Sequence, residues 1–572
     1  MKASDYIVQF LHQKGIRCVF EMSGGMITHI LDSLARSQKV KVISVHHEQA
    51  AAFAADAYGR MTGLPGVAMA TSGPGATNLL TGIGSCHFDS CPAIFITGQV
   101  NRHEQKGDRP IRQLGFQETD IVAMAKPITK AAWLVQDPDK LPAMLEDAFE
   151  LAVSGRPGPV LLDIPMDVQR CQITPAPARP GPSPAPLSIE LKAFIRQLVS
   201  ALRAAQRPLI LIGGGIRSAG VCDQLLALLE RLRIPVVHSL MAVDVLPAEH
   251  PLRVGMIGSY GNRWANHALG TADVLIVLGS RLDVRQTGAD TESFKGARTI
   301  FHVDVESGEI NNRVAGCIAC VAHLRDFLPA AAADAANVAA PAEWFAAIAE
   351  LRRAWPDTAE FQDGRGINPN IFMHQLAGAS GRAAAVVVDV GQHQMWAAQS
   401  FDLGPSQRFL TSGGMGAMGF ALPAALGAAA VTAPRPVLVI AGDGGFQTNI
   451  QELQTVIREA FPIKIVVINN RCHGMVRQFQ QSYFDERYQS TLWGYSAPDF
   501  AAVARAYGLD AIRVENVQDV PAAVEGLWAD PQRPALLEVI VDTYTNVYPK
   551  MAFGRPITEM EPLAKPLDME GT

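Results

Sequence analysis

Three doubly wound α/β domains, each built on a parallel sheet, are what the 572-residue sequence predicts. Two observations carry this. Short Val/Ile-rich runs precede segments of helical period along the chain: 40–45 before 48–58, 209–212 before 220–231, and 437–441 before 450–460. Continuous apolar strands alternating with helices belong to parallel sheets covered on both faces. The second observation is two stretches of linker composition, the Pro-rich 174–187 and the Ala-rich 329–341, which cut the chain into segments of similar length. The expected domains are 1–173, 188–328 and 342–549, with 550–572 as a C-terminal tail. At about 150 residues per domain the length agrees.

Composition narrows the function classes. Hydrophobic residues make up 48% and charged residues 18%, enough apolar material for several cores. Lys plus Arg number 49 and Asp plus Glu 55, a net charge of −6 with no basic block, so nucleic acid is not an expected partner. Asp5 stands where the apolar core of a signal peptide would begin, and a cytoplasmic location is expected. The uncharged stretch 409–434 is long enough to span a bilayer. Its Gly413, Gly414, Gly416, Gly419 and Gly427 and its two prolines point instead to a packed region near a ligand, with no membrane partner. Cys317-x-x-Cys320 lacks a second ligand pair, so it is read as core rather than as a zinc site.

The strongest chemical signal is Gly442-Asp443-Gly444-Gly445 after an apolar run, followed by Asn469-Asn470 at the end of the next one. The gap is one βαβ crossover, so both fall at the same sheet edge, where α/β folds bind ligands. A carboxylate, an amide oxygen and a backbone carbonyl are hard ligands suited to Mg²⁺, with a diphosphate completing the set. Flanking glycines let backbone N–H groups approach the phosphates. Either turn alone would be ordinary; the pair is not.

With these motifs the sequence resembles the thiamine-diphosphate (ThDP) enzymes. Seven blocks, at 46–63, 71–90, 116–120, 154–168, 390–399, 411–428 and 469–479, resemble in order the catalytic subunit of the acetohydroxyacid (acetolactate) synthases. The resemblance implies three domains of the ThDP-enzyme type. It also implies metal ligation by Asp443, Asn470 and the Cys472 carbonyl, and cofactor contacts from Gln392, His393, Gln394, Gly416, Gly442, Gly444, Gly445 and Met475. Glu48 would bond the pyrimidine N1′, which requires dry surroundings that its alanine-rich neighbours supply; in isolation it would be an ordinary helix-start acid. Met418, otherwise a core methionine, would prop the cofactor rings into a bent conformation.

In the middle segment Gly213-Gly214-Gly215 and Arg281-x-Asp283-x-Arg285, with Asp304, resemble the FAD-holding domain of the anabolic synthases. Ala322-His323 departs from the family's Gly-Asp near the adenine end. On the acceptor side, Phe116 and Gln117 would line the cleft and Arg285 would orient an anionic group. Phe479 stands where the family has a Trp favouring 2-ketobutyrate, and residues 21–26 and 550–555 also depart from the pattern. The implied activity is a carboligase acting on pyruvate and a keto acceptor. Two alternatives stay open: acetyl transfer to a ketone such as a nucleotide-linked keto-sugar, as in yersiniose-type enzymes, and a flavin-dependent pyruvate oxidase. A homodimer or homotetramer is implied; a regulatory small subunit is left open.

Overall fold

The computed structural model describes residues 1–175, 189–335, 338–361 and 365–568, so most of the Pro-rich stretch 174–187 lies outside the described residues. Each third of the chain forms a six-stranded sheet whose ladders are all parallel. The first runs Lys41–Ser44, Cys18–Glu21, Gly66–Ala70, Ala93–Gln99, Pro159–Pro165, Ala131–Leu134 across its width. The third runs Arg408–Thr411, Ala385–Val388, Val437–Gly442, Ile463–Asn469, Ala535–Ile540, Asp510–Val514. Counting strands within each domain, both read 2-1-3-4-6-5. The central sheet reads 3-2-1-4-5-6, from Arg253–Met256 through Val236–His238, Pro208–Ile212, Val274–Leu278 and Thr299–Asp304 to Ile318–Val321. In each sheet the order reverses beside the first strand, where neighbouring loops diverge and leave a crevice at the carboxyl ends.

Local chemistry explains the elements. Val437–Gly442 and Ile463–Asn469 are buried at every position, as inner parallel strands must be. Helix Glu48–Thr62 starts where the His47 side chain accepts from Gln49 N and stops at Gly63, in the left-handed conformation at φ 73°. That helix packs on Ala421–Thr432. The approach is closest at Gly427, where a Cβ would stand 2.0 Å from the Ala54 carbonyl oxygen. Phe53 and Phe420 meet edge to face at 5.3 Å, and the cores of the outer domains merge there.

Two expectations are corrected. The Ala-rich stretch 329–341 is not a plain linker: residues 329–334 belong to helix Leu324–Asp334, and Val338–Ala339 pairs with Leu232–Arg233. Alanine's helix propensity, with Phe327, Leu328 and Ala331 buried in the central core, decides this. The helix expected over 450–460 is broken into Ile450–Glu452 and Leu453–Arg458, after a first helix Asp443–Thr448. The stretch 409–434 divides into strand, loop and helix, and no helix among the described residues is long and apolar enough to cross a membrane. The end of the chain forms a small antiparallel hairpin, Lys550–Met551 with Met560–Glu561, and places Met551 and Ile557 in the central core.

Two polar clusters fix the domains. Arg60, largely covered, pairs with Asp56 at 2.6 Å and Asp89 at 3.2 Å and donates to the Thr411 carbonyl at 2.8 Å. Asp89 accepts from Gly413 N and Gly414 N at 3.0 and 2.7 Å, so first-domain charges hold the third domain's glycine loop. In the third domain His374 lies between Asp357 at 2.9 Å and Asp402 at 2.7 Å. Hydrogen bonds to Asp357 and then Asp402 raise its pKa to about 10. A raised folded-state pKa contributes stability that is complete below the unfolded value near 6.5 and is lost as pH rises through about 10. His374→Gln is therefore expected to cost about 1–2 kcal/mol at pH 6, after discounting for partial exposure, and nothing above pH 10. Denaturant unfolding of parent and variant across that range measures it; a pH-independent difference would remove the ion pair from the account.

Candidate active site

The carboxyl edge of the third sheet carries a cavity of about 470 Å³. Gln392, His393, Gly416, Met418, Gly442, Asp443, Gly444, Gly445, Asn470, Cys472, His473 and Met475 are among its lining residues. Asp443 follows the third strand and Asn470 the fourth, beside the point where strand order reverses. Asp443 is 3% exposed, and among the described residues its Oδ2 has no hydrogen-bond partner. Burial pushes its pKa up to about 6; the nearby Tyr495 hydroxyl offsets part of this, although its oxygen too lacks a partner in hydrogen-bond geometry. Asn470 Nδ2 donates to Gln392 Oε1 at 2.9 Å, which fixes the amide's direction. The Cys472 thiol is pushed up to about 11 by burial and stays protonated. An orphaned buried carboxylate oxygen at a cavity that Asn470 and Cys472 also line fits a hard divalent cation.

The glycines are demanded by close approach. A Cβ at Gly444 would lie 2.8 Å from the His473 ring, and one at Gly445 would lie 2.4 Å from Asp389 Oδ1. His393 is buried, its pKa is pushed down to about 3, and its Nε2 has no partner among the described residues, so a neutral imidazole faces this region. Met418 is 39% exposed at the rim.

The first domain contributes a second group of residues. Glu48 is 7% exposed, at the start of its helix. Asn78 Nδ2 donates to its Oε2 at 2.9 Å. The segment 71–78, a turn leading into the short helix Pro74–Asn78, passes so closely that a Cβ at Gly75 would be 3.1 Å from Glu48 Oε1, and one at Gly73 would be 2.9 Å from Gln117 Cβ. Glu48 and Gln117 thus share one loop system. Phe116 beside them is 78% exposed.

In the central domain, the crevice beside the first strand holds adjoining cavities of about 120 and 80 Å³ that share Ser239, Met241, Arg281, Asp283 and Gln286. Gly214, Gly215 and Asp304 line one, Arg285 the other. The Gly213 turn runs so close to the next crossover that a Cβ there would meet the Gly279 carbonyl oxygen at 2.1 Å. His323 caps the following helix by accepting from Arg325 N.

Not every expected residue converges. Glu48, Phe116 and Gln117 do not line the Asp443 cavity of the same chain, and Gln117 does not line the Arg285 cavity. Gln394 turns away, donating to Thr411 Oγ1 at 2.7 Å and the Ser412 carbonyl at 3.3 Å. Sequence reasoning missed Asp389, whose carboxylate accepts from Val390, Gly419 and Ala421 N and so anchors the loop bearing Gly416 and Met418. The signal was there: an acid ending the apolar run 385–388, two residues before Gly391. It also missed His473 and Asn78, which no local pattern marks.

Fold and site together define an enzyme with two like domains that flank a dinucleotide-type domain. Family models agree: residues 1–124 match the N-terminal TPP binding domain of thiamine pyrophosphate enzymes, 195–331 the central domain and 389–539 the C-terminal TPP binding domain. The chain belongs to the thiamine pyrophosphate enzymes, in the group that includes the acetolactate synthase large subunits. It is 38% identical to the acetolactate synthase isozyme 1 large subunit of Escherichia coli, over 97% of both chains. It is 37% identical to the acetolactate synthase large subunit of Corynebacterium glutamicum, over 98% of this chain and 90% of that one. A probable chloroplastic acetolactate synthase of rice is 37% identical, over 96% and 84%.

Proposed function

We propose that the protein is a ThDP- and Mg²⁺-dependent carboligase that decarboxylates pyruvate and passes the two-carbon unit to a second carbonyl compound. The observation that carries it is the buried, unpartnered Asp443 oxygen facing a glycine-lined cavity of about 470 Å³. Asp443, Asn470 and the Cys472 carbonyl would hold the cation, Gly444 and Gly445 would admit the phosphates, and neutral His393 would add a polar contact. When bound, ThDP supplies the carbon that takes up the 2-oxo acid and releases CO₂. Glu48 holds and moves the proton that activates it, kept in place by Asn78. Met418 at the rim props the cofactor. Arg281, Asp283, Arg285, Asp304 and the Gly213–Gly215 turn hold FAD in the central crevice, which has the strand order of dinucleotide sites.

Glu48 does not line the Asp443 cavity of its own chain, so we place each cofactor between two copies of the chain. Incubating the purified enzyme with pyruvate and a panel of ketones and 2-oxo acids, with products read by mass spectrometry, tests the function. A branched hydroxy-ketone or hydroxy-acid product with oxidised flavin supports it; anaerobic bleaching of the flavin by pyruvate would mean an oxidase instead.

One observation favours an acceptor other than 2-ketobutyrate. Phe479 is 38% exposed and packs on Tyr483 at 4.9 Å and Phe484 at 5.6 Å, and Tyr483 meets Phe553 of the tail at 6.4 Å. A smaller ring in place of Trp leaves room for a bulkier ketone, including a keto-sugar. Phe479→Trp is expected to shift the acceptor preference toward 2-ketobutyrate by about tenfold, the scale of one methylene contact. Competition between pyruvate and 2-ketobutyrate measures the ratio, and a change below about twofold would remove Phe479 from the choice of acceptor.

A further inference from the structure

We propose that Gln99 is a positioning residue: its amide, held by Asp163, clamps the loop that carries Phe116 and Gln117 and keeps Gln117 against the turn on which Glu48 rests. The catalytic consequence rests on the role given to Glu48 above; the clamp itself does not.

The arrangement begins with strand register. Ala93–Gln99 and Pro159–Pro165 pair in parallel, with Thr97 opposite Asp163 and Gln99 opposite Pro165. All three polar side chains are buried. Thr97 Oγ1 donates to Asp163 Oδ1 at 2.7 Å, and Gln99 Nε2 donates to Asp163 Oδ2 at 2.9 Å. Among the described residues no cation pairs with Asp163, and burial, with a smaller push from Asp120, raises its pKa to about 7. Ionised, the carboxylate only accepts. Protonated, it can give its hydrogen to the Thr97 hydroxyl, so Oδ2 still accepts from Gln99. The second hydrogen of Gln99 Nε2 goes to the Thr119 carbonyl at 2.8 Å, and Gln99 Oε1 accepts from Val100 N at 3.0 Å. Rotating this amide by half a turn would set oxygen against two acceptors and nitrogen against a donor. Its orientation therefore has one value, and the Thr119 carbonyl is tied to the sheet.

What the clamp holds is strained. Gln117, two residues before Thr119, sits at φ 64°, a left-handed conformation that a non-glycine residue keeps only where its surroundings impose it. Glu118 secures the same turn by accepting from Lys106 N at 2.6 Å and Leu114 N at 2.9 Å. The backbone then passes close to both ends of the path: a Cβ at Gly73 would stand 2.9 Å from Gln117 Cβ and one at Gly75 3.1 Å from Glu48 Oε1, and Asn78 donates to the other Glu48 oxygen. Nothing in this path touches the Asp443 cavity.

The test is Gln99→Leu in the ThDP-loaded enzyme, read by amide hydrogen exchange and by steady-state kinetics. Exchange in 113–120 is expected to rise by about tenfold while strand 93–97 is unchanged. KM for pyruvate is expected to rise by about tenfold with ThDP affinity within about twofold of the parent. Asp163→Asn keeps an acceptor toward Gln99 and a donor toward Thr97, and is expected to behave as the parent in every readout. Unchanged exchange in 113–120, or an equal rise throughout the first domain, would overturn the clamp. Faster exchange with unaltered kinetics would overturn the positioning role. If exchange rises and KM shifts while Glu48→Gln proves harmless, the clamp stands and the assignment of Glu48 falls.

Discussion

Replacing Glu48 by Gln is expected to lower turnover with pyruvate by at least about a hundredfold, the scale of a general acid–base contribution. Gln has the same shape and can still present an oxygen to Asn78 Nδ2, now 2.9 Å from Oε2. The space beside Gly75, where a Cβ would already crowd Oε1 at 3.1 Å, admits either side chain. Only the ionisable proton is lost, so folding and ThDP affinity should persist while cofactor activation fails. Steady-state rates at saturating ThDP, with circular dichroism as the folding control, give the answer. A rate within about tenfold of the parent, or about 1.4 kcal/mol, would exclude the assigned role.

Asp443→Ala should abolish cation-dependent ThDP binding. Burial has raised this carboxyl toward about 6 and one oxygen has no partner, so its ionised form is costly until a cation arrives. Removing it leaves the diphosphate charge uncompensated, and calorimetry with and without Mg²⁺ should show affinity reduced by at least about a hundredfold. Unchanged affinity would reject the site. The two variants also test the shared-site arrangement together. If each site takes Glu48 from one chain and Asp443 from another, co-refolding equal amounts of Glu48→Gln and Asp443→Ala should restore up to about a quarter of parental activity, because half the dimers carry one intact site of two. No recovery would mean that one chain completes its own site.

The sequence alone determined the alternation of strand and helix, the three-domain plan, and the placing of Gly442–Asp443 and Asn469–Asn470 at one sheet edge. These follow from short-range rules: apolar periodicity, turn-forming glycines and the length of one crossover. Tertiary structure decided the rest. It made 329–334 helical by burying Phe327 and Leu328, gave the outer sheets one strand order, turned Gln394 toward Thr411, and kept Glu48 out of the Asp443 cavity. It also revealed Asp389 as the anchor of the glycine loop and Gln99 as the tie on Thr119. The physical reason is range. A bond such as Gly414 N to Asp89, 325 residues apart, leaves no local pattern, and where a buried amide points depends on which acceptors folding brings to it.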